Sequence, residues 1–201
     1  KIADAYKQAY LADRLAAFGG VAALNRPVDA ATAQQITVQY LEVVAAPEFK
    51  KEALDMLLKK KNMRLIRIRT MDKLKESRNL NYLDFKSLSD GGMIVQISQT
   101  AKVRGKDDLS LATAKREPTE KEYEDMLFAW KIVQGVTSNS IVFAKNKATV
   151  AICPGEQDRV GAVEIAVVKA YKKYSDRLSF EKFNTSYPQL QQQQNQRLLN
   201  K

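Results

Sequence analysis

Any chemistry in this chain has to be built without histidine. None occurs among its 201 residues, so imidazole general bases, Ser-His-Asp triads and the usual zinc sites cannot be assembled from it alone. Cys153 is the only cysteine, which excludes an internal disulfide and any site made of several thiolates. Lying at the end of an apolar run with no histidine to activate it, it reads as a small buried residue in a chain suited to a reducing cytoplasm. Side chains fitted to recognition remain, but elimination singles out none of them. Glu42 opens an apolar run, and a carboxylate at a strand edge can accept hydrogen bonds from hydroxyls. Asn139 offers a donor and an acceptor in one amide. Arg159 brings a planar guanidinium that suits an anionic or carbonyl-rich partner. Each also has a plain structural reading: a surface acid, an Asx turn, and a helix-start arginine paired with Glu156 or Asp158.

The common catalytic motifs are absent: no Walker loop, GxGxxG, GxSxG, HExxH or paired CxxC occurs. Thirty-three basic against 23 acidic residues give a formal charge of +10, which favours an anionic partner without identifying it. The densest basic segment, Lys59 to Arg69, reads as a solvated face around a helix end and not as a nucleic-acid stripe. No apolar run approaches the roughly 20 residues a membrane span needs. The first residues, KIADAYKQAY, show neither an initiating Met nor a signal pattern and read as the start of a fragment.

These side chains need elements to hold them. Helical spacing runs from Ile2 to Leu15 and is broken by Gly19 and Gly20. VAAL reads as a short strand, and Asp29 as the cap of a helix through DAATAQQITVQYL. A strand is expected over Glu42 to Ala46, then a helix opened by Pro47 and a strand RLIRI. YLDFKSL and GGMIVQIS read as further strands, and Thr100 to Glu117 as a surface excursion. Thr119 and Glu122 form a capping-box pattern before a helix with apolar face Tyr123, Met126, Leu127, Trp130 and Val133; Trp130 reads as core. Gly135 ends it. IVFA and TVAIC are two strands joined by KNK, and RVGAVEIAVVKAYKKY is another amphipathic helix. Helices alternating with strands predict an α/β layered sheet. The polar segment from residue 175 to 201 reads as a helical or disordered tail after a unit spanning residues 1–174.

Three segments, DRLAAFGGVAALNRPVDAATA, YLEVVAAPEFKKEALDMLLKKKN and SNSIVFAKNKATVAICPGEQDRVGAVEIA, together resemble the bifunctional phosphoribosylaminoimidazolecarboxamide formyltransferase and inosine monophosphate (IMP) cyclohydrolase family, in its formyltransferase region. The resemblance covers nearly all of residues 3 to 172, including PTEKEYEDMLFAWKIVQGVTSNS. It implies a three-layer α/β domain similar to cytidine deaminases but without their zinc. It also implies transfer of a formyl group from 10-formyltetrahydrofolate to the amine of the imidazole carboxamide ribonucleotide in purine biosynthesis, in a cytoplasmic homodimer with sites at the subunit interface.

Residue by residue, the resemblance makes Gly19 the glycine whose backbone lies against the nucleotide, where a Cβ would obstruct approach. It makes Glu42 an acidic nucleotide contact, Asn139 a contact to the substrate carboxamide, and Arg159 with Val160 the folate contacts. Val136, Thr137 and Ser138 stand where some relatives have a monovalent-cation site, but such oxygen ligands are too common to assign a metal. Proton transfer is assigned to a Lys-His pair that would lie before Lys1, so no catalytic residue is expected within the chain. Ala151, Ile152, Cys153 and Pro154 stand where relatives are glycine-rich, which is expected to narrow the cofactor pocket. The alternative expectation is a non-catalytic nucleotide-binding protein that retains the pocket.

Overall fold

A computed structural model describes residues 1–73, 83–98, 103–112 and 115–199. The first half builds a parallel sheet in the order β1 (Gly20–Ala23), β2 (Leu41–Ala46), β3 (Arg64–Arg67). Parallel neighbours need crossovers, supplied by α2 (Ala30–Thr37) and α3 (Lys51–Leu57). α2 starts where its cap predicts: Asp29 accepts hydrogen bonds from the Thr32 hydroxyl at 2.6 Å and the Thr32 N–H at 2.9 Å, which hold its carboxyl below the usual range. α3 starts later than expected, and Pro47 does not open it. Val28 and Phe49 form a parallel bridge, with Val28 N–H donating to Glu48 O and Lys50 N–H to Val28 O, both at 2.9 Å. Backbone pairing therefore takes up this stretch before the helix can begin.

α2 and α3 pack together over a core in which Val28, Ala33, Ile36, Val44, Ala46 and Leu57 are fully buried. The opposite face of the sheet is open, with Val21 68% and Ile66 48% exposed. Parallel sheets are ordinarily covered on both faces, so this one is half-clad.

The remaining strands form two antiparallel hairpins, β4 (Leu83–Ser87) with β5 (Met93–Ile97) and β6 (Ile141–Lys145) with β7 (Ala148–Cys153). Tyr82 of the expected YLDFKSL strand, and residues 100–102 and 113–114 of the expected excursion, lie outside the described residues. The α/β class holds, but among the described residues the strands make three separate small sheets and not one.

α4 (Glu120–Val133) carries the expected box: Thr119 N–H donates to Glu122 at 2.7 Å and Glu122 N–H to the Thr119 hydroxyl at 3.3 Å. Asp125 accepts the Asn146 and Lys147 N–H groups at 2.9 and 2.7 Å, tying α4 to the β6–β7 turn, where both residues have φ 55°. The apolar face of α4 is correctly placed yet none of it is buried. Trp130 is 44% exposed and is not core: among the described elements α4 packs chiefly on the narrow β6–β7 hairpin. Cys153, 1% exposed, does behave as a small core residue, packed with Ala162 and Ala166 of α5 (Arg159–Phe183). α5 runs without a break through the point where composition turns polar, and α6 (Tyr187–Leu199) follows, so the described part of the tail is largely helical.

One helix joins the two halves. α1 (Ile2–Ala12) packs on α2 to one side and on β7 and α5 to the other, and its Tyr6 hydroxyl is hydrogen-bonded to the Gln39 side chain. Just beyond it, Arg14 grips Asp176 of α5 through Nε and Nη2, both at 3.2 Å, with its guanidinium 4.2 Å from the Phe180 ring centroid. The side chains are only 14% and 7% exposed. Asp176 also accepts the Tyr187 N–H at 2.9 Å, and Lys173 pairs with Asp13 at 2.6 Å. The total accessible surface is 15258 Å², against roughly 9,500 Å² for a compact monomer of 22.7 kDa.

Breaking a buried ion pair strands the remaining charge. Asp176→Ala is therefore expected to lower stability by about 3 kcal/mol in chemical denaturation; a loss below about 1 kcal/mol would show that Arg14 finds water instead. A second expectation concerns pH. The Arg116 guanidinium, then the Thr119 N–H and hydroxyl, pull the Glu122 carboxyl from 4.5 down to about 2. Its folded-state value is depressed, so the cap is fully effective above pH 4.5 and is lost as pH falls towards about 2. Carboxyl NMR should place the Glu122 midpoint near that lower value, and a midpoint near 4.5 would contradict the cap.

Candidate functional site

Gly19 and Glu42 are brought together by an irregularity the sequence does not announce. In the β1–β2 ladder Gly20 faces Leu41 but Val21 faces Val43, so Glu42 is the extra residue of a bulge. Bulges re-aim side chains, and Glu42 is exposed between buried Leu41 and half-buried Val43. Gly19, with φ 71°, donates its N–H to Tyr40 O at 2.9 Å. A Cβ built on it would lie 3.7 Å from Glu42 Oε1 and 3.9 Å from Tyr40 Cε1. The glycine is thus required by its backbone conformation, and its open side faces the carboxylate. The Phe18 and Tyr40 rings, 5.1 Å apart, flank this corner with 74% and 40% exposure. Sequence reading passed over both, although an aromatic beside each of the two key residues was a visible signal. The corner lies at the N-terminal ends of the parallel strands, opposite to the carboxyl ends that commonly bind ligands in open α/β sheets.

A second pair forms at the other end of the chain. Asn139 exchanges backbone hydrogen bonds with Glu156, N–H to O at 3.2 Å and 3.0 Å, and its side-chain amide donates to Glu156 O at 3.2 Å and Gln157 O at 3.0 Å. Both amide hydrogens are therefore committed to the loop that leads into α5, and the carbonyl oxygen is the group left for a ligand. This loop carries Arg159. Asp158 caps α5 by accepting Gly161 N–H at 2.7 Å, and a Cβ on Gly161 would come within 2.6 Å of Asp158 Oδ2, which explains the glycine in DRVG. Glu156 accepts the Gln157 N–H instead of pairing with Arg159. Among the described residues no ion pair involves Arg159. Arg159 and Val160, the latter 69% exposed, present their side chains to solvent on the first turn.

Ala151 and Cys153 are buried against α5. They sit in the helix–sheet interface, while Ile152 is half-buried and Pro154 is exposed. Gly19–Glu42 and Asn139–Arg159 remain two separate pairs, with no hydrogen bond or ion pair between them among the described residues. About 25 Å of helix separates Arg159 from Asp176, where the segment leading to Gly19 is anchored.

An alanine at position 19 finds room but not a comfortable backbone. Gly19→Ala is expected to cost about 1–2 kcal/mol through the positive φ alone. Equilibrium unfolding would check this, and an unchanged midpoint would mean the turn relaxes to negative φ.

Comparison with known proteins shows the family. The model of the AICARFT/IMPCHase bienzyme family matches residues 1–169. The chain is 44% identical over 172 residues to the bifunctional purine biosynthesis protein PurH of Oceanobacillus iheyensis, covering 86% of this chain and 32% of that protein. Against the PurH of Persephonella marina it is 48% identical over 167 residues, 83% of this chain and 30% of the relative. The PurH of Bacillus subtilis gives 40% over 173 residues, 86% and 32% respectively. The chain spans about a third of the length of these relatives. With its motifs in order, its glycine and acid joined at one corner and its asparagine and arginine at another, the chain belongs to the AICARFT/IMPCHase bienzyme family.

Proposed function

We propose that the chain provides part of a formyltransferase site that moves a formyl group from 10-formyltetrahydrofolate to the amine of 5-aminoimidazole-4-carboxamide ribonucleotide, in the cytoplasm. The observation that carries this reading is the family match over residues 1–169, with Gly19 and Glu42 meeting at one open corner. The Glu42 carboxylate accepts hydrogen bonds from ribose hydroxyls, and the side-chain carbonyl of Asn139 accepts from the carboxamide N–H. Arg159, without an acidic partner among the described residues, takes the anionic or carbonyl-rich folate, with Val160 beside it. The substrate amine is a poor nucleophile because its lone pair is delocalised into the ring, so orientation and a proton acceptor are both needed. This chain supplies orientation; proton transfer belongs to a Lys-His pair outside these residues.

The separation of the two pairs favours a site completed across two copies, Gly19 and Glu42 from one and Asn139 and Arg159 from the other. A half-clad parallel sheet and an exposed β4–β5 hairpin, with Phe85 64% and Val95 50% exposed, fit a deaminase-like three-layer domain whose remaining layer lies in other polypeptide. No described helix is long and apolar enough to cross a membrane.

The expected behaviour of the isolated chain is nucleotide binding without turnover. Calorimetry with the imidazole carboxamide ribonucleotide should show binding weakened about tenfold by Asn139→Ala and by Glu42→Ala, with negligible formylation when 10-formyltetrahydrofolate is added. Sustained turnover by these 201 residues would overturn the assignment of proton transfer to a missing segment.

A further inference from the structure

A second cleft, about 410 Å³ in volume, lies where α1, the β6–β7 turn and the later part of α5 meet. Its walls carry Gln8 of α1, Lys145 and Asn146 at the turn, Thr149 of β7, and Lys173 and Arg177 of α5. Three of these six are cations and no carboxylate lines the space. The volume is within the range of small-molecule sites and far too small for a polymer.

Two of the three cations are held in place. Asp13 fixes the Lys173 ammonium at 2.6 Å, and that lysine is only 19% exposed. Glu181 takes the Arg177 Nε at 2.9 Å, which orients the guanidinium and leaves its two terminal amino groups without a hydrogen-bond partner among the described residues. Lys145 has no ion pair there either, in contrast to its neighbour Lys147, which Glu124 holds at 3.0 Å. The side-chain amides of Gln8 and Asn146 and the Thr149 hydroxyl are likewise uncommitted among the described hydrogen bonds. An anchored guanidinium with a free fork, a free ammonium and several neutral donors around one cleft match the oxygen-rich tetrahedron of a phosphate group. Because Lys173 and Arg177 are held beforehand, those two side chains lose little entropy on binding.

The cleft is separate from the candidate site. Lys173 and Arg177 lie about 21 and 27 Å along α5 from Arg159. Both also follow residue 169, where the family match ends, so two of the three charges in the cleft come from the part of the chain outside that match. We propose that this cleft binds a small phosphate-bearing ligand, with Arg177 as the fork and Lys145 as the second charge.

Calorimetry on the 201-residue chain in phosphate-free buffer, with inorganic phosphate and ribose 5-phosphate as separate probes, tests this. Saturable binding is expected for at least one probe, weakened about tenfold each by Lys145→Ala and Arg177→Ala and unchanged by Arg159→Ala. Arg177→Lys should restore only part of the affinity, because a lysine cannot fork. Lys145 sits on an exposed turn, so its substitution reads the site even if Arg177→Ala disturbs α5. Tighter binding of ribose 5-phosphate identifies a sugar phosphate, and equal binding identifies free phosphate. Absence of saturable binding by either probe would overturn the proposal, as would binding lost in Arg159→Ala and retained in the Lys145 and Arg177 variants.

Discussion

The Arg14–Asp176 pair is the constraint on which the arrangement of this molecule rests. The two apolar cores are small and separate, one beneath the parallel sheet and one between β7 and α5, and neither reaches across to the other. α1 spans the gap, and the pair closes it with a side-on fork, a cation over the Phe180 ring and a further N–H on the same carboxylate. Burying two charges costs several kcal/mol each unless geometry and additional hydrogen bonds compensate, and here they do. Asp176 and Phe180 lie beyond residue 169, where the family match stops. The polar end of the chain is therefore structural, because it supplies the partner that holds α1 and the turn behind it.

A second constraint is incompleteness of layers. Helices cover one face of β1–β2–β3 and leave Val21 and Ile66 in water, while β4–β5 packs on little but itself. At about 25 cal/mol per Å², apolar surface left open on this scale is a standing drive towards association. The candidate site follows the same logic. Each pair of candidate residues is locally well built, by a bulge in one case and by a backbone-anchored loop in the other, yet among the described residues no hydrogen bond or ion pair joins the two corners.

Local physics was legible in the sequence; long-range physics was not. The Asp29 cap, the Thr119–Glu122 box, the KNK turn and the burial of Cys153 each depend on a few consecutive residues, and each stands where its pattern placed it. Pro47 failed as a helix start because Val28, nineteen positions earlier, pairs with Phe49. Trp130 failed as core because an apolar helix face does not say how wide its partner is. The bulge that turns Glu42 outward depends on strand register, and Arg14 meets Asp176 across 162 positions. Resemblance named Gly19, Glu42, Asn139 and Arg159, but only coordinates revealed that they form two pairs, and that the Asn139 donors are already committed.

Native-state hydrogen exchange tests the central role of the Arg14–Asp176 junction most directly. Amides of Val44 and Ala45 in β2 and of Ile152 and Cys153 in β7 should open with one common free energy in the unmodified chain, and with two distinct ones in Arg14→Ala. Independent opening of the two halves before any substitution, or a common opening that survives Arg14→Ala, would contradict it.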